Sequence, residues 1–327
     1  MGRTKSPILA MAALLIAAAG GRGGTESLLA ADRLITEGRY AEAEPVLLGE
    51  LESLRKPGQE DPLLGAVLNE LGIVYRQQAR YLEAERMFRR SLSLYTKLGV
   101  EQSLAAASAL ANLGLVYMDL RYCRKAEPLL RQALEIRRKV LGPTHPTTAV
   151  LLNNLAEVYR RLDKPAEAEQ GFQEALTLLE TAYGPHHPRL FAPLNNLAVL
   201  CHSQGRTREA IVFSERAVRI WEKSAGPEHP ELATALANLG ALYAAEGRRA
   251  DAAGLFLRAL AIAERGLGAE HPTTGHILQL YSALLRTMKR SGEAKATEKR
   301  AQAILAHSER ENLQHHTVDV KVLLASR

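Results

Sequence analysis

Residues 142–159 read GPTHPTTAVLLNNLAEVY. The apolar side chains Leu151, Leu155, Val158 and Tyr159, continued by Leu162, recur at the spacing of one helix face. Lys164 and Pro165 then mark a short turn, and a second stripe follows at the same spacing, Ala168, Phe172 and Ala175. The pattern predicts two helices joined by a tight turn, each with one buried face.

The pattern returns every 42 residues, as GPHHPRLFAPLNNLAVLC at 184–201 and GPEHPELATALANLGALY at 226–243. A weaker copy, GAEHPTTGHILQLYSALL, occupies 268–285. Backwards, GQEDPLLGAVLNELGIVY fills 58–75, and ALANLGLVY at 109–117 keeps the second half of a copy. A fixed period of this size is the signature of stacked repeats, each burying its apolar face against its neighbours. Residues 62–306 hold six units in register. Residues 26–55 read as a degenerate first hairpin with a sound second helix and a weak first one. The expected fold is all-α, a solenoid of about seven antiparallel helix pairs over residues 25–307.

Helix boundaries are written in glycine and proline. Gly142 suits a left-handed C-terminal cap, and Pro143 blocks continuation. Pro146 opens the next helix in its first turn, a place shared by Pro62, Pro188, Pro230 and Pro272. Leu104 is the exception, and there Gly99 comes one residue early, which predicts a different approach for that helix. Alanine at 84, 126, 168, 210, 252 and 294 is the most regular column and marks a tight helix crossing. Gly72, Gly114 and Gly240, with Ala156 in the same place, mark a second close approach. The last second-helix is heavily charged, as a solvated end unit requires. In residues 308–327, expected to be a tail, residues 317–322 alternate like a short strand and predict an extended segment on the last helix.

Composition agrees. Of 327 residues 46% are hydrophobic and only 5% aromatic, and leucine, alanine, arginine and glutamate dominate. A net charge of +6 is too mild to indicate nucleic acid and leans toward acidic partners. Cys123 and Cys201 lie nearly two repeats apart, beyond disulfide reach, and read as packing thiols. His145, His187, His229 and His271 each precede a helix-opening proline, and Asp61 fills the same slot, which indicates capping. One repeat apart, they cannot share a metal ion. No phosphate loop, nucleophile elbow or catalytic carboxylate pair stands out. The expectation is a non-catalytic protein without cofactor or metal.

Residues 1–24 look like an export leader. Arg3 and Lys5 precede an apolar run from Ile8 to Ala19, and Ala17, Ala18, Ala19 and Gly20 offer a small-residue cleavage site. The run is too short for an ordinary spanning helix. The expected location is secreted or periplasmic. A membrane tether formed by an uncleaved leader, or a cytoplasmic location, are the alternatives.

The pattern L-G/A-x-x-Y, followed by G-R/K-x-x-E-A, resembles the tetratricopeptide repeat. The 42-residue form, with G-P-x-H-P and L-N-N-L-A, is similar to the repeats of kinesin light chains and their bacterial relatives. The resemblance implies a right-handed superhelix whose first helices line a concave groove for extended peptides. It also implies that asparagines of L-N-N-L-A hold the ligand backbone. The matching positions are Asn112, Asn154, Asn196 and Asn238, with a second column at Asn69, Asn153 and Asn195. Glu70 and Leu280 break the first column, and Ala111 and Ala237 the second. Each amide offers donors and an acceptor, so it can pair with an extended backbone whatever its side chains. Arg76, Arg160 and Arg286 share a phase, with Arg161 beside Arg160, and would favour acidic residues in a partner. Two plainer readings stay open: the asparagines bond the neighbouring helix, and the arginines are solvated surface. Protein or peptide binding by a scaffold leads. A cytosolic or membrane-tethered adaptor in a signalling or assembly complex comes second, and an enzyme subunit is the remote third.

Overall fold

Side-chain caps and prolines decide where the first helix of each repeat begins. In the computed structural model, which describes residues 23–54 and 61–324, with side chains for 27–54 and 61–307, four of these helices start at the expected proline. They are α3 (Pro62–Gln77), α7 (Pro146–Arg161), α11 (Pro230–Ala245) and α13 (Pro272–Thr287). Residues 1–22 of the expected leader lie outside the described residues, as do 55–60 and 325–327.

The residue before each proline caps the helix. The Leu63 N–H donates to Asp61 Oδ1 at 2.8 Å. His229 and His271 accept at Nδ1 from the N–H two residues on, at 3.3 and 3.2 Å. His145 does the same for Thr147 at 3.3 Å. The histidine column is therefore a capping column, which satisfies one of the orphan donors of each helix. Leu104 opens α5 (Leu104–Asp119) without proline, and there Ser103 Oγ accepts from the Ala106 N–H at 3.2 Å.

One start departs from expectation. Pro188 opens a short 3₁₀ turn (Pro188–Leu190), capped by His187, and α9 (Phe191–Ser203) follows. Pro193 explains it. In an α-helix begun at 188 its ring would meet the carbonyl of Arg189, four residues back. In a helix begun at 191 it falls in the first turn, where its missing N–H costs nothing.

The remaining helices are α1 (Gly23–Thr36) and the second helices α2 (Tyr40–Ser53), α4 (Tyr81–Lys97), α6 (Cys123–Leu141), α8 (Pro165–Tyr183), α10 (Thr207–Ser224), α12 (Arg249–Gly266) and α14 (Ser291–Leu324). The described residues thus form seven successive helix pairs and no strand. Both helices of the first hairpin form, and α1 packs Leu28 and Ala31 into the core. Residues 317–322 continue α14 to Leu324, in place of the expected strand. Alternation over six residues does not by itself break a helix already running into it.

Each turn from a first to a second helix places one residue in the left-handed region. Gly38, Gly205 and Gly247 fill it in three repeats, and Ala79, Arg121, Asp163 and Lys289 in the others. The next N–H reaches back five residues, as from Arg80 to the Tyr75 carbonyl at 2.8 Å and from Arg248 to that of Tyr243 at 2.8 Å. This closes a Schellman motif.

The chain divides between Val158 and Tyr159 into two units. In both, the alanine column is sealed: Ala84, Ala126, Ala168, Ala210 and Ala252 are 0% exposed. Phe88, Phe172 and Phe256 are buried beside it. A Cβ on Gly72 would lie 2.5 Å from Phe88 Cε1, which is why that close approach takes no side chain. Cys123 and Cys201 are buried free thiols, consistent with packing.

Ion pairs then tie successive second helices together. In the first unit Arg80 pairs with Glu44 at 2.8 Å. In the second, Arg216 pairs with Glu180 at 2.5 Å, Arg258 with Glu222 at 2.7 Å and Arg300 with Glu264 at 2.7 Å. The three pairs of the second unit repeat at the 42-residue period, each 36 residues apart in sequence, whereas Arg80–Glu44 has the same separation at a different place in the repeat.

Candidate functional site

The asparagines sit at one phase of the first helices, as the spacing requires, and the structure gives them a specific use. In the first unit Asn112 Nδ2 donates to Asn69 Oδ1 at 3.1 Å. In the second, Asn238 Nδ2 donates to Asn195 Oδ1 at 2.6 Å. A first-column asparagine thus bonds the second-column asparagine of the preceding repeat. Each such bond uses one donor and one acceptor, and every amide keeps a further donor or acceptor.

Burial separates the members. Asn69 is 1% exposed, and its Nδ2 is buried without a partner, so this side chain packs rather than faces solvent. Asn112, Asn153, Asn154, Asn195, Asn196 and Asn238 are half-buried, each with an edge at the surface. Val150, 55% exposed, stands one turn before Asn154, and Val199, 40% exposed, one turn after Asn195. In each unit the first-helix face therefore mixes amide edges with exposed aliphatic side chains. The valines were not among the expected site residues. Their signal was the i±4 relation to the asparagine columns.

The arginines divide differently. Arg76 Nε donates to Asp119 Oδ2 at 2.7 Å, across to the next first helix of the same unit. Arg286 pairs with Glu298 on α14. Both charges are matched inside the chain, which corrects the picture of an open cationic stripe at these two positions. Asp119 and Glu298 are not part of the repeating pattern, so the period gave no warning of them. Arg160 and Arg161 lie in the last turn of α7, the former half-buried and the latter exposed.

The tyrosine column behind the face is structural. Tyr117 O–H donates to Glu85 at 2.7 Å and accepts from Arg89 at 2.7 Å, and Tyr243 O–H donates to Glu215 at 2.8 Å. Glu70, which breaks the first asparagine column, is 4% exposed. Burial, and then the nearby Asp32 carboxylate, push its carboxyl up to about 7.

The comparisons with known proteins follow this geometry. The profile of the tetratricopeptide repeat matches residues 24–97, 105–181, 148–223 and 193–265. No curated protein matches the chain. Among solved structures, a Podosopora anserina protein described as a kinesin light chain with nearly identical TPR-like repeats is similar, at 24% identity and a TM-score of 0.53. That likeness covers 63% of this chain and 98% of the other. BtubC (BKLC) from P. vanneervenii is similar at 22% identity and TM-score 0.57, over 72% of this chain and 91% of that one. The Rap conjugation gene regulator of plasmid pLS20, in complex with the Phr* peptide, shares 18% identity and TM-score 0.61, over 88% and 74%. At these identities the likeness concerns the fold. The profile matches span well over half of the sequence, in phase with its helix pairs, and the chain belongs to the tetratricopeptide repeat family.

Proposed function

We propose that the chain is a non-catalytic scaffold that holds an extended peptide or protein segment on its first-helix face. The observation that carries this reading is made in each unit separately: half-buried amides at Asn112, Asn153 and Asn154 with exposed Val150 in the first, and at Asn195, Asn196 and Asn238 with exposed Val199 in the second. Amide edges pair with a backbone of any sequence, and the valines contribute apolar contact. The Rap regulator, similar in fold, is a protein solved with a bound peptide. A preference for acidic residues does not rest on Arg76 or Arg286, whose charges are matched within the chain. We further propose an exported location, on the leader-like pattern of residues 1–24, with a tethered or cytoplasmic adaptor as the second reading.

The test is a crosslinking pull-down with the natural envelope fraction, using the chain from residue 24 onward. The matched control carries Asn154→Ala, Asn196→Ala and Val150→Glu, with its helicity checked by circular dichroism. Loss of the captured partner in the control is expected. Capture that survives these substitutions would move the site off this face. N-terminal sequencing of the natural protein decides the location, because an intact Met1-Gly2-Arg3 start would end the export reading.

A further inference from the structure

The charge of the chain is unevenly placed. α4 and α6 together hold ten arginines and lysines against four glutamates, a net charge of +6. The whole chain carries the same +6, so the rest of it is neutral on balance. The two helices meet over Tyr117 of α5. Glu85 and Arg89 of α4 bond its hydroxyl, and the Lys125 ammonium of α6 lies 5.4 Å from its ring centre. Their outer faces therefore form one surface of the first unit.

That surface is almost free of carboxylates. The exposed positions of α4 include Arg86, Arg89, Arg90 and Lys97 and no acidic residue. Those of α6 include Arg124, Arg131 and a single glutamate, Glu135, which Lys139 holds at 2.7 Å. Arg86, Arg90, Arg124 and Arg131 make no ion pair among the described residues. The repeat does not ask for this. In α8 the register puts Gln170, Glu174, Ala166 and Gln173 at the places of those four arginines, and α8 has no arginine or lysine. Arg216 and Arg258, in register with Arg90, are matched by Glu180 and Glu222.

Two large side chains stand at one end of the cationic face. Leu82, in the first turn of α4, is 68% exposed. Tyr122, which precedes α6, is 54% exposed, with Lys125 Nζ 5.0 Å from its ring centre. Cations around an exposed aliphatic chain and an exposed phenol suit the surface of a bilayer. Arginine and lysine attract anionic headgroups, tyrosine sits at headgroup level, and leucine reaches the acyl boundary. A nucleic-acid backbone matches the charge but gives Leu82 no apolar layer to enter.

We propose that the outer face of α4 and α6 docks the chain on an anionic membrane surface, with Arg86, Arg90, Arg124 and Arg131 over lipid phosphates and Leu82 and Tyr122 in the headgroup layer. The contact is peripheral: among the described residues no helix is long and apolar enough to cross a membrane. The face belongs to second helices, so the proposal stands apart from the scaffold reading of the first helices.

The experiment floats the full chain with vesicles of phosphatidylcholine alone and with vesicles in which phosphatidylglycerol replaces part of it. The expected result is roughly tenfold stronger binding to the anionic vesicles, weakened by added salt. One variant joins Arg86→Gln, Arg90→Gln, Arg124→Gln and Arg131→Gln. A control of equal net charge joins Arg208→Gln, Lys223→Gln, Arg249→Gln and Lys295→Gln in the second unit. All eight side chains are exposed, so both variants are expected to melt with the parent. The first variant should lose the anionic preference and the control should keep it. Any contribution of residues 1–24 is common to all three proteins and drops out of the comparison. Equal loss in both variants would mean a diffuse effect of net charge, and full binding by the first would place the contact elsewhere. Either result overturns the proposal. Leu82→Ser with Tyr122→Ser should weaken binding to the anionic vesicles by about fivefold. Binding unchanged by that pair, or tighter capture of duplex DNA than of vesicles at equal phosphate, would overturn the lipid assignment.

Discussion

Glu70 stands where other repeats carry Asn112, Asn154, Asn196 or Asn238, and its surroundings make it a proton-binding group. It is buried, its Oε1 has no hydrogen-bond partner, and Asp32 of α1 is close enough to disfavour a second charge. Its folded value of about 7 exceeds the unfolded 4.5, so the native state binds the proton more tightly. The associated stability is then fully present below pH 4.5 and is lost as pH rises through 7. Asp32, itself raised by burial, acts with the same sign. Urea unfolding at pH 5 and pH 8 should show a fall of up to about 3 kcal/mol on the alkaline side. Glu70→Gln should flatten that difference and be the more stable protein at pH 8. A pH-independent midpoint in the parent would mean that Glu70 is solvated or paired. At this scale the sequence spoke clearly about residues that repeat. The alanine column and the capping histidines recur in phase, and a recurring residue announces a recurring environment. Glu70, Asp119 and Glu298 occur once each, and their roles depend on neighbours on other helices, up to 43 residues away.

The turns are where the elements carry strain. Ala79, Arg121, Asp163 and Lys289 have φ of 59°, 62°, 58° and 61°, in a conformation that Gly205 and Gly247 adopt freely. A side chain there crowds the following carbonyl, and glycine relieves it. Ala79→Gly is expected to stabilise the chain by about 0.5–1 kcal/mol, after the entropy lost to the more flexible unfolded state. Gly205→Ala is the converse and should destabilise. Chemical denaturation of both variants checks the pair, and a destabilised Ala79→Gly would show that the turn holds no strain. The glycines at 205 and 247 made the turn legible in the sequence. The strained copies were hidden because a Schellman bond, not the residue type, holds them there. Helix starts were equally legible from proline, save at Pro188, where a second proline five residues on shifted the start. The tail was misjudged for a related reason: six alternating residues carry too little information to overrule the helix that precedes them.

For the molecule as a whole, the repeat settled the family and left the partner open. Packing positions are constrained by the neighbouring unit and therefore recur, whereas ligand contacts use the exposed positions that the period leaves free to vary. The same regularity makes a strong prediction. Deleting residues 184–225 joins Tyr183 to Gly226 and brings Glu180 into the spacing from Arg258 that it now has from Arg216. The shortened chain should fold cooperatively, with a urea m-value reduced in proportion to the surface removed. A deletion two residues shorter should not fold. If both fold alike, the units are not held in register by the contacts described.

The ion pairs between second helices also have a direction. Each glutamate of the series reaches forward to the arginine of the following unit, so the stack has a leading and a trailing end. The place after Glu180, Glu222 and Glu264 in that series is Ala306, which is exposed and offers no carboxylate. Arg300 with Glu264 is therefore the last link of this series among the described residues, and the forward-reaching pattern closes within the chain.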